Sequence, residues 1–439
     1  MTAETIVRTP TSNRLKTTSL NNKMVTEYWD DLFSAKEDGK LVCWFEGVSI
    51  NPLLQTMDIS WCHGEAWSAL LAAKKEEQPA LEAAEERGYQ RELCSYARTH
   101  LGSGVLTKNN QIPGTPNHTE MAGRAPAPDM IISAYPYCST GQQWDEMLYR
   151  LFGKKVPVFN ITLPYIWGNQ KNDTYMHGED FEDAVKFLTK QLRDCVTFLE
   201  EVTGKKFDYD RLGEIMQYTK KASELRLEAM DLCIARPAPA TFFEWSLSIA
   251  PVNFLPSGPP IVDYFQKLKD EIAGRVDAGI GSVPKEKYRL FWDGIMNWGK
   301  LGWMAEKFAN YDACMVAGRY THMGFWQEPH LIDCKDPLEG MARNYLVCPI
   351  NHSAPSMIDR ITALCEKYEI DALVMHVART CRAFSNPQYL IAQQVSKRIG
   401  TKVCMIEGDM IDPTFYKDEL VNSRVEAMLE AIDAKRSMI

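Results

Sequence analysis

Residues Asp129–Ile161 read DMIISAYPYCSTGQQWDEMLYRLFGKKVPVFNI, and residues Asp371–Glu407 read DALVMHVARTCRAFSNPQYLIAQQVSKRIGTKVCMIE. Both follow one order: an apolar strand, a polar loop with one cysteine, a helix, a glycine turn and a second strand. In the first segment the helix is expected over about Gln142–Phe152. Strands joined through a helix run parallel, so each segment is a βαβ unit of a parallel sheet with helices on its faces. Cys138 comes nine residues after Asp129 and Cys381 ten residues after Asp371. Open α/β sheets bind ligands beyond the carboxyl ends of their strands. Both cysteines therefore stand where sites occur, and two such domains facing each other would bring them together.

Outward from these units, Lys40–Glu46 (KLVCWFE) is a β-rich run followed by a glycine turn and a helix-like stretch from Asn51, the start of a first α/β unit. Phe181, Val185, Leu188, Leu192, Cys195, Leu199 and Val202 recur at spacings of four and three, one face of an amphipathic helix. Asp208–Ala235 reads as another helix, and the Pro-rich, aromatic Arg236–Pro260 as a packed connector that breaks regular structure. The expected fold is α/β, with two doubly wound, Rossmann-like domains on parallel sheets and a helical connecting region. Its boundaries are a disordered tail at 1–22, an N-terminal α/β domain at 23–170, a helical region at 171–308 and a C-terminal α/β domain at 309–439, opened by the strand Tyr311–Ala317.

Hydrophobic residues at 45% and charged residues at 24% fit a globular chain, and no apolar run reaches the ~18 residues of a membrane span. The net charge of −9 forms no single-sign block, which disfavours nucleic-acid and anionic-membrane partners. The Thr-, Ser- and Asn-rich amino terminus has no apolar core of a secretory signal. A cytoplasmic, reducing location is expected, where the twelve cysteines serve as thiols or metal ligands.

Most free cysteines are small buried hydrophobes. Cys195 and Cys365 lie on apolar helix stripes, and Cys43, Cys314 and Cys404 inside strand-like runs, so these five read as core. Cys94 (RELCSYARTHLGSG), Cys138 and Cys381 have polar, small or aromatic neighbours without core periodicity, and read as site residues. Thiolates are the preferred ligands of iron–sulfur clusters, and a cluster held by distant loops needs no compact CxxC motif. Cys62, Cys334 and Cys348, which precedes Pro349, remain rivals, Cys233 less so, and scattered structural thiols remain the alternative.

At these residues the chain resembles the family of 2-hydroxyacyl-CoA dehydratases and ATP-dependent benzoyl-CoA reductases, over about Lys40–Ala431. The carriers are CSYAR at Cys94, YPYCSTGQQWDE at Cys138, HVARTCRAFSNP at Cys381 and the terminal EGDMIDPTFYKDELVNSRVEAMLE, in that order. Within the family the chain looks most like the larger, cluster-carrying B subunits of benzoyl-CoA reductases. The resemblance implies a [4Fe–4S] cluster held by Cys94, Cys138 and Cys381, with one iron left open for water, another small ligand or a substrate oxygen. It implies ATP-dependent, low-potential reduction of an aroyl-CoA. The implied partners are a related cluster-carrying subunit and an ATPase pair fed by ferredoxin. The chain has no GxxxxGK[ST] loop of its own, which agrees with an ATPase partner. The alternatives are a subunit of a 2-hydroxyacyl-CoA dehydratase and a cluster-binding scaffold. Dehydratases of the family commonly carry a Glu shortly after a Pro in the first crossover. Here Asn51, Pro52, Leu53 and Leu54 stand there, with Glu65 nearby, which tilts the expectation toward the reductase.

No catalytic acid is assigned from sequence. His63, His322 and His376 lie near the expected cleft, and a hydrogen-bonded structural role is the expectation for each. Arg424 and Glu426 in the last helix read as domain-orienting, partner-contacting or surface-paired residues.

Overall fold

The structure, a computed structural model, describes residues 13–110, 121–135, 138–166, 176–324 and 326–438. Among them, short apolar runs bounded by turns form eight strands. The first sheet contains β1 (Val42–Gly47), β2 (Ser60–His63), β3 (Met130–Tyr135) and β4 (Val158–Thr162). The second contains β5 (Tyr288–Asp293), β6 (Ala313–Gly318), β7 (Ala372–Ala378) and β8 (Lys402–Gly408). The strand orders match, β2-β1-β3-β4 and β6-β5-β7-β8, and every pairing is parallel. Helices cover both faces of such sheets, so the strands lack a polar face: β5 and β6 are buried at every position. In each sheet the chain steps from the first strand to one edge, then returns to the first strand's other side. That reversal opens a crevice at the carboxyl ends of β1 and β3, and of β5 and β7. The doubly wound pair expected from the repeat is the fold the chain adopts.

Long helices at Glu179–Thr203, Tyr209–Asp231 and Pro259–Asp277 fill the region between the sheets in sequence. The first buries the stripe from Phe181 through Cys195 to Leu199 and ends on Gly204 in the left-handed conformation. The second is capped by Asp208, which accepts the Arg211 N–H at 2.9 Å. Among the described residues, no helix is long and apolar enough to cross a membrane.

Several expectations change. Residues 1–12 lie outside the described residues, but the rest of the tail read at 1–22 is packed. Leu15 is buried, Glu271 accepts the Lys16 and Thr17 amides at 2.7 and 2.9 Å, and a helix spans Thr18–Ser34. Composition missed this because the partner is a carboxylate far along the chain. The second sheet starts at β5, inside the span read as helical, so the Tyr311–Ala317 run supplies the edge strand β6 and not the opening strand. The Arg236–Pro260 connector holds a short helix, Phe242–Leu247, begun by a Thr241–Glu244 capping box. Finally, the helix of the first βαβ unit begins at Ser139, directly after Cys138.

Candidate functional site

The carboxyl ends of both sheets open on one cavity of about 1130 Å³, its mouth included. Gly47 at the end of β1 and Ser49 beyond it, His63 and Glu65 at the end of β2, and Cys138 and Gly141 after β3 form one side. Ile295 after β5, Tyr320 after β6, and Cys381 and Phe384 after β7 form the other. Cys94 joins them, so the three cysteines singled out in the sequence line one cavity. The remaining wall is largely aromatic, with Tyr96, Trp144, Trp326 and Tyr345.

Each of the three cysteines immediately precedes a helix. Cys138 and Cys381 are the N-cap residues of Ser139–Leu151 and Arg382–Ser385. The Cys94 carbonyl accepts the Arg98 N–H in the first turn of the helix Ser95–Asn110. Burial raises all three thiol pKa values, Cys381 to about 12 and Cys94 well above its ordinary value. The thiols reinforce this: Cys381 and Cys138 raise Cys94, and Cys138 raises Cys381. Amides of Ala97, of Thr140 and Gly141, and of Phe384 act in the opposite sense, although neither Cys138 nor Cys381 completes a side-chain cap. Buried thiols whose ionisation is disfavoured in this way become stable as thiolates when a cationic centre lies among them. Among the described residues, no group of three or more His, Cys, Asp or Glu side chains could hold a metal ion directly. Three soft thiols lining one cavity are the donor set that a cubane cluster takes.

Three of the quoted motifs form one network behind this wall. The Ser95 amide donates to the Thr380 hydroxyl at 3.0 Å, and that hydroxyl donates to Asp409 at 2.6 Å. Asp409 also accepts the amides of Thr380, Ile411 and Asp412. Arg98, fully buried, donates to Asp412 at 2.7 Å and Glu85 at 2.8 Å, and reaches back to the Leu93 carbonyl at 3.3 Å. CSYAR, ARTC and EGDMID thus pin the Cys94 loop of one domain to the Cys381 loop of the other. Behind Cys381, Arg319 bridges Asp293 at 2.8 Å and the Phe384 carbonyl at 2.9 Å, and Gln388 donates to the same carboxylate at 2.9 Å.

The other candidates separate clearly. Cys43, Cys195, Cys314, Cys365 and Cys404 are buried core residues, as expected. Cys62 is buried within β2 and Cys334 is half-buried near the surface, neither at the cavity, whereas Cys348 does line it. The Cys348–Pro349 context was the one signal for that position. His376 is sealed against the Ile295 carbonyl at 2.6 Å, and His322 against Thr321 at 2.7 Å; burial lowers both pKa values, so both are neutral structural histidines. His63 and Glu65 are different, because both face the cavity. Arg424 donates to the Met405 carbonyl and Glu426 accepts the Tyr311 hydroxyl, which ties the last helix to β8 and to the start of β6.

Compared with known proteins, residues 51–432 match the 2-hydroxyglutaryl-CoA dehydratase, D-component family (HGD-D). The chain is 28% identical over 427 residues to the B subunit of benzoyl-CoA reductase from Thauera aromatica, covering 94% of each chain. It is 26% identical to the lactoyl-CoA dehydratase alpha subunit of Anaerotignum propionicum, covering 92% of this chain and 93% of that one. It is 22% identical to the (R)-2-hydroxyglutaryl-CoA dehydratase alpha subunit of Acidaminococcus fermentans, covering 94% and 96%. With the match spanning most of its length, the chain belongs to the 2-hydroxyglutaryl-CoA dehydratase D-component family, among relatives that are benzoyl-CoA reductase and 2-hydroxyacyl-CoA dehydratase subunits.

Proposed function

We propose that this chain is the iron–sulfur subunit of an enzyme that reduces an aroyl-CoA, such as benzoyl-CoA, by low-potential single-electron transfer. The observation that carries the reading is the convergence of Cys94, Cys138 and Cys381 on one aromatic cavity. These residues would hold a [4Fe–4S] cluster, which when bound supplies single electrons at potentials down to about −700 mV. The rest of the wall serves the substrate. Trp144, Trp326 and Phe384 offer flat apolar surface to a ring and exclude water. Burial raises the Tyr96 and Tyr320 pKa values, so both phenols stay protonated at the cavity wall.

The relatives are named as subunits, and this chain carries no phosphate loop. A related cluster-carrying subunit and a ferredoxin-fed ATPase pair are therefore its proposed partners. The second reading, a 2-hydroxyacyl-CoA dehydratase subunit, is favoured by relatives at 22–26% identity that carry that name. One experiment separates them: anaerobic reconstitution with the partner subunits, reduced ferredoxin and ATP, supplied in turn with benzoyl-CoA and a 2-hydroxyacyl-CoA. Ring reduction that requires ATP supports the proposal. Dehydration alone selects the second reading, and iron-free, colourless protein after anaerobic purification refutes both.

A further inference from the structure

Trp326 lies on the cavity wall, 5% exposed, with its backbone in the left-handed region at φ +60°. We propose that Trp326 determines specificity: its indole fixes the width of the acyl cavity, so that a fused second ring on the acyl group is rejected there. The inference rests on the proposed aroyl-CoA chemistry and names which aroyl groups that site admits.

The backbone is the first observation. Left-handed conformations suit glycine, whereas a bulky side chain there is a steric outlier. Such outliers persist only where the surroundings over-determine them, and they cluster at ligand clamps. Around Trp326 the surroundings are built for this. The Thr321 carbonyl, in the turn after β6, accepts the Gln327 side-chain amide at 3.0 Å and the Arg226 guanidinium at 3.1 Å. Arg226 and Gln327 are themselves buried, so water does not compete for either bond. Arg360 donates to the Met323 carbonyl at 3.3 Å. The chain is thus pinned before and after the stretch that carries two cavity residues, Gly324 and Trp326. The indole packs on Tyr345, with 5.4 Å between centroids and 60° between planes, and the Tyr345 hydroxyl donates to the Ser49 carbonyl just beyond β1. An indole fixed in this way yields to a larger ligand only by breaking contacts at the ends of both sheets.

Space is the second observation. The cavity of about 1130 Å³, mouth included, has to hold the proposed cluster at Cys94, Cys138 and Cys381 together with the acyl group. Trp144, Tyr320 and Phe384 close other parts of the wall, and Tyr320 packs edge-on against Phe384 at 5.9 Å. In an apolar pocket a single methylene group changes selectivity by about 10–200-fold, and a fused ring adds far more bulk than that.

The test measures dissociation constants of benzoyl-CoA and 2-naphthoyl-CoA for the anaerobically purified complex, without reductant, in wild type, Trp326→Phe, Trp326→Ala and Trp326→Gly. Wild type should prefer benzoyl-CoA by at least about 10-fold. Trp326→Ala and Trp326→Gly should bring the two constants within about threefold, chiefly by tightening 2-naphthoyl-CoA, with Trp326→Phe in between. Trp326→Gly should also melt above Trp326→Ala, because both lose the indole but only glycine takes the left-handed backbone without strain. A wild-type preference under about threefold overturns the inference and leaves the proposed function standing. So does a wild-type preference that survives in Trp326→Ala and Trp326→Gly, even with both thioesters weakened, since the indole would then be structural. A melting temperature for Trp326→Gly at or below that of Trp326→Ala removes the strain and overturns it as well. If wild type binds neither thioester more tightly than free CoA, the functional reading fails and this inference falls with it.

Discussion

Arg98→Met would remove the cation that joins the two cysteine loops while keeping most of the side-chain volume. Arg98 is fully buried and Asp412 nearly so, with 2.7 Å between them. Breaking a buried ion pair by deleting one partner costs about 3–5 kcal/mol, because the other charge stays buried without compensation. The second pair, to Glu85, is 40% exposed on the carboxylate side and adds only about 0–1 kcal/mol. The expected loss is therefore about 3–5 kcal/mol for the unit that contains the network. The pH dependence carries a definite sign. Burial raises the Asp412 pKa, but Thr414 and Arg98 outweigh it, and the folded value lies below the ordinary one. A carboxylate depressed in this way contributes stability that is present above the unfolded value, about 3.9, and lost as pH falls through the folded value. The gap between wild type and Arg98→Met should be widest near neutrality and narrow as pH drops toward and below about 4. Denaturant unfolding, followed by tryptophan fluorescence and by exchange of the Ser95 amide, measures it. An Arg98→Met, Asp412→Leu double variant should cost less than the sum of its singles. A loss under about 1 kcal/mol at every pH, or strict additivity, would refute the account of this seam.

Cys94→Ser, Cys138→Ser and Cys381→Ser should each strip most of the bound iron, while Cys195→Ala, in the core of the Glu179–Thr203 helix, should not. Iron retained in Cys381→Ser but lost in Cys195→Ala would reverse the assignment. Gly102→Ala should destabilise at or above the upper end of the usual 1–3 kcal/mol for overpacking, about 3 kcal/mol, because its Cβ would lie 1.7 Å from the Ala80 carbonyl oxygen. An unchanged melting temperature would mean that the helices Gln78–Glu86 and Ser95–Asn110 can separate at no cost.

Local pattern encodes the repeated half of this architecture. Two apolar runs, each followed by a cysteine and a helix, specified parallel βαβ units, since hydrophobic period and crossover length leave few other topologies. The same pattern placed Cys138 and Cys381 at strand ends, and the stripe through Cys195 specified a helix. The helix Ser95–Asn110 escaped it, although nearly all of it is buried. Its face-by-face polarity carries no 3.6-residue signal, because Arg98, His100, Ser103 and Thr107 are satisfied by Asp412, Trp144, Trp67 and the Ala125 carbonyl from elsewhere in the chain. Hydropathy records whether a residue prefers water, not which distant group will replace the water. Cys94, Cys348, His63 and Glu65 likewise became one cavity wall only when the two switch points faced each other, a choice made by long-range pairing and packing that no local window contains.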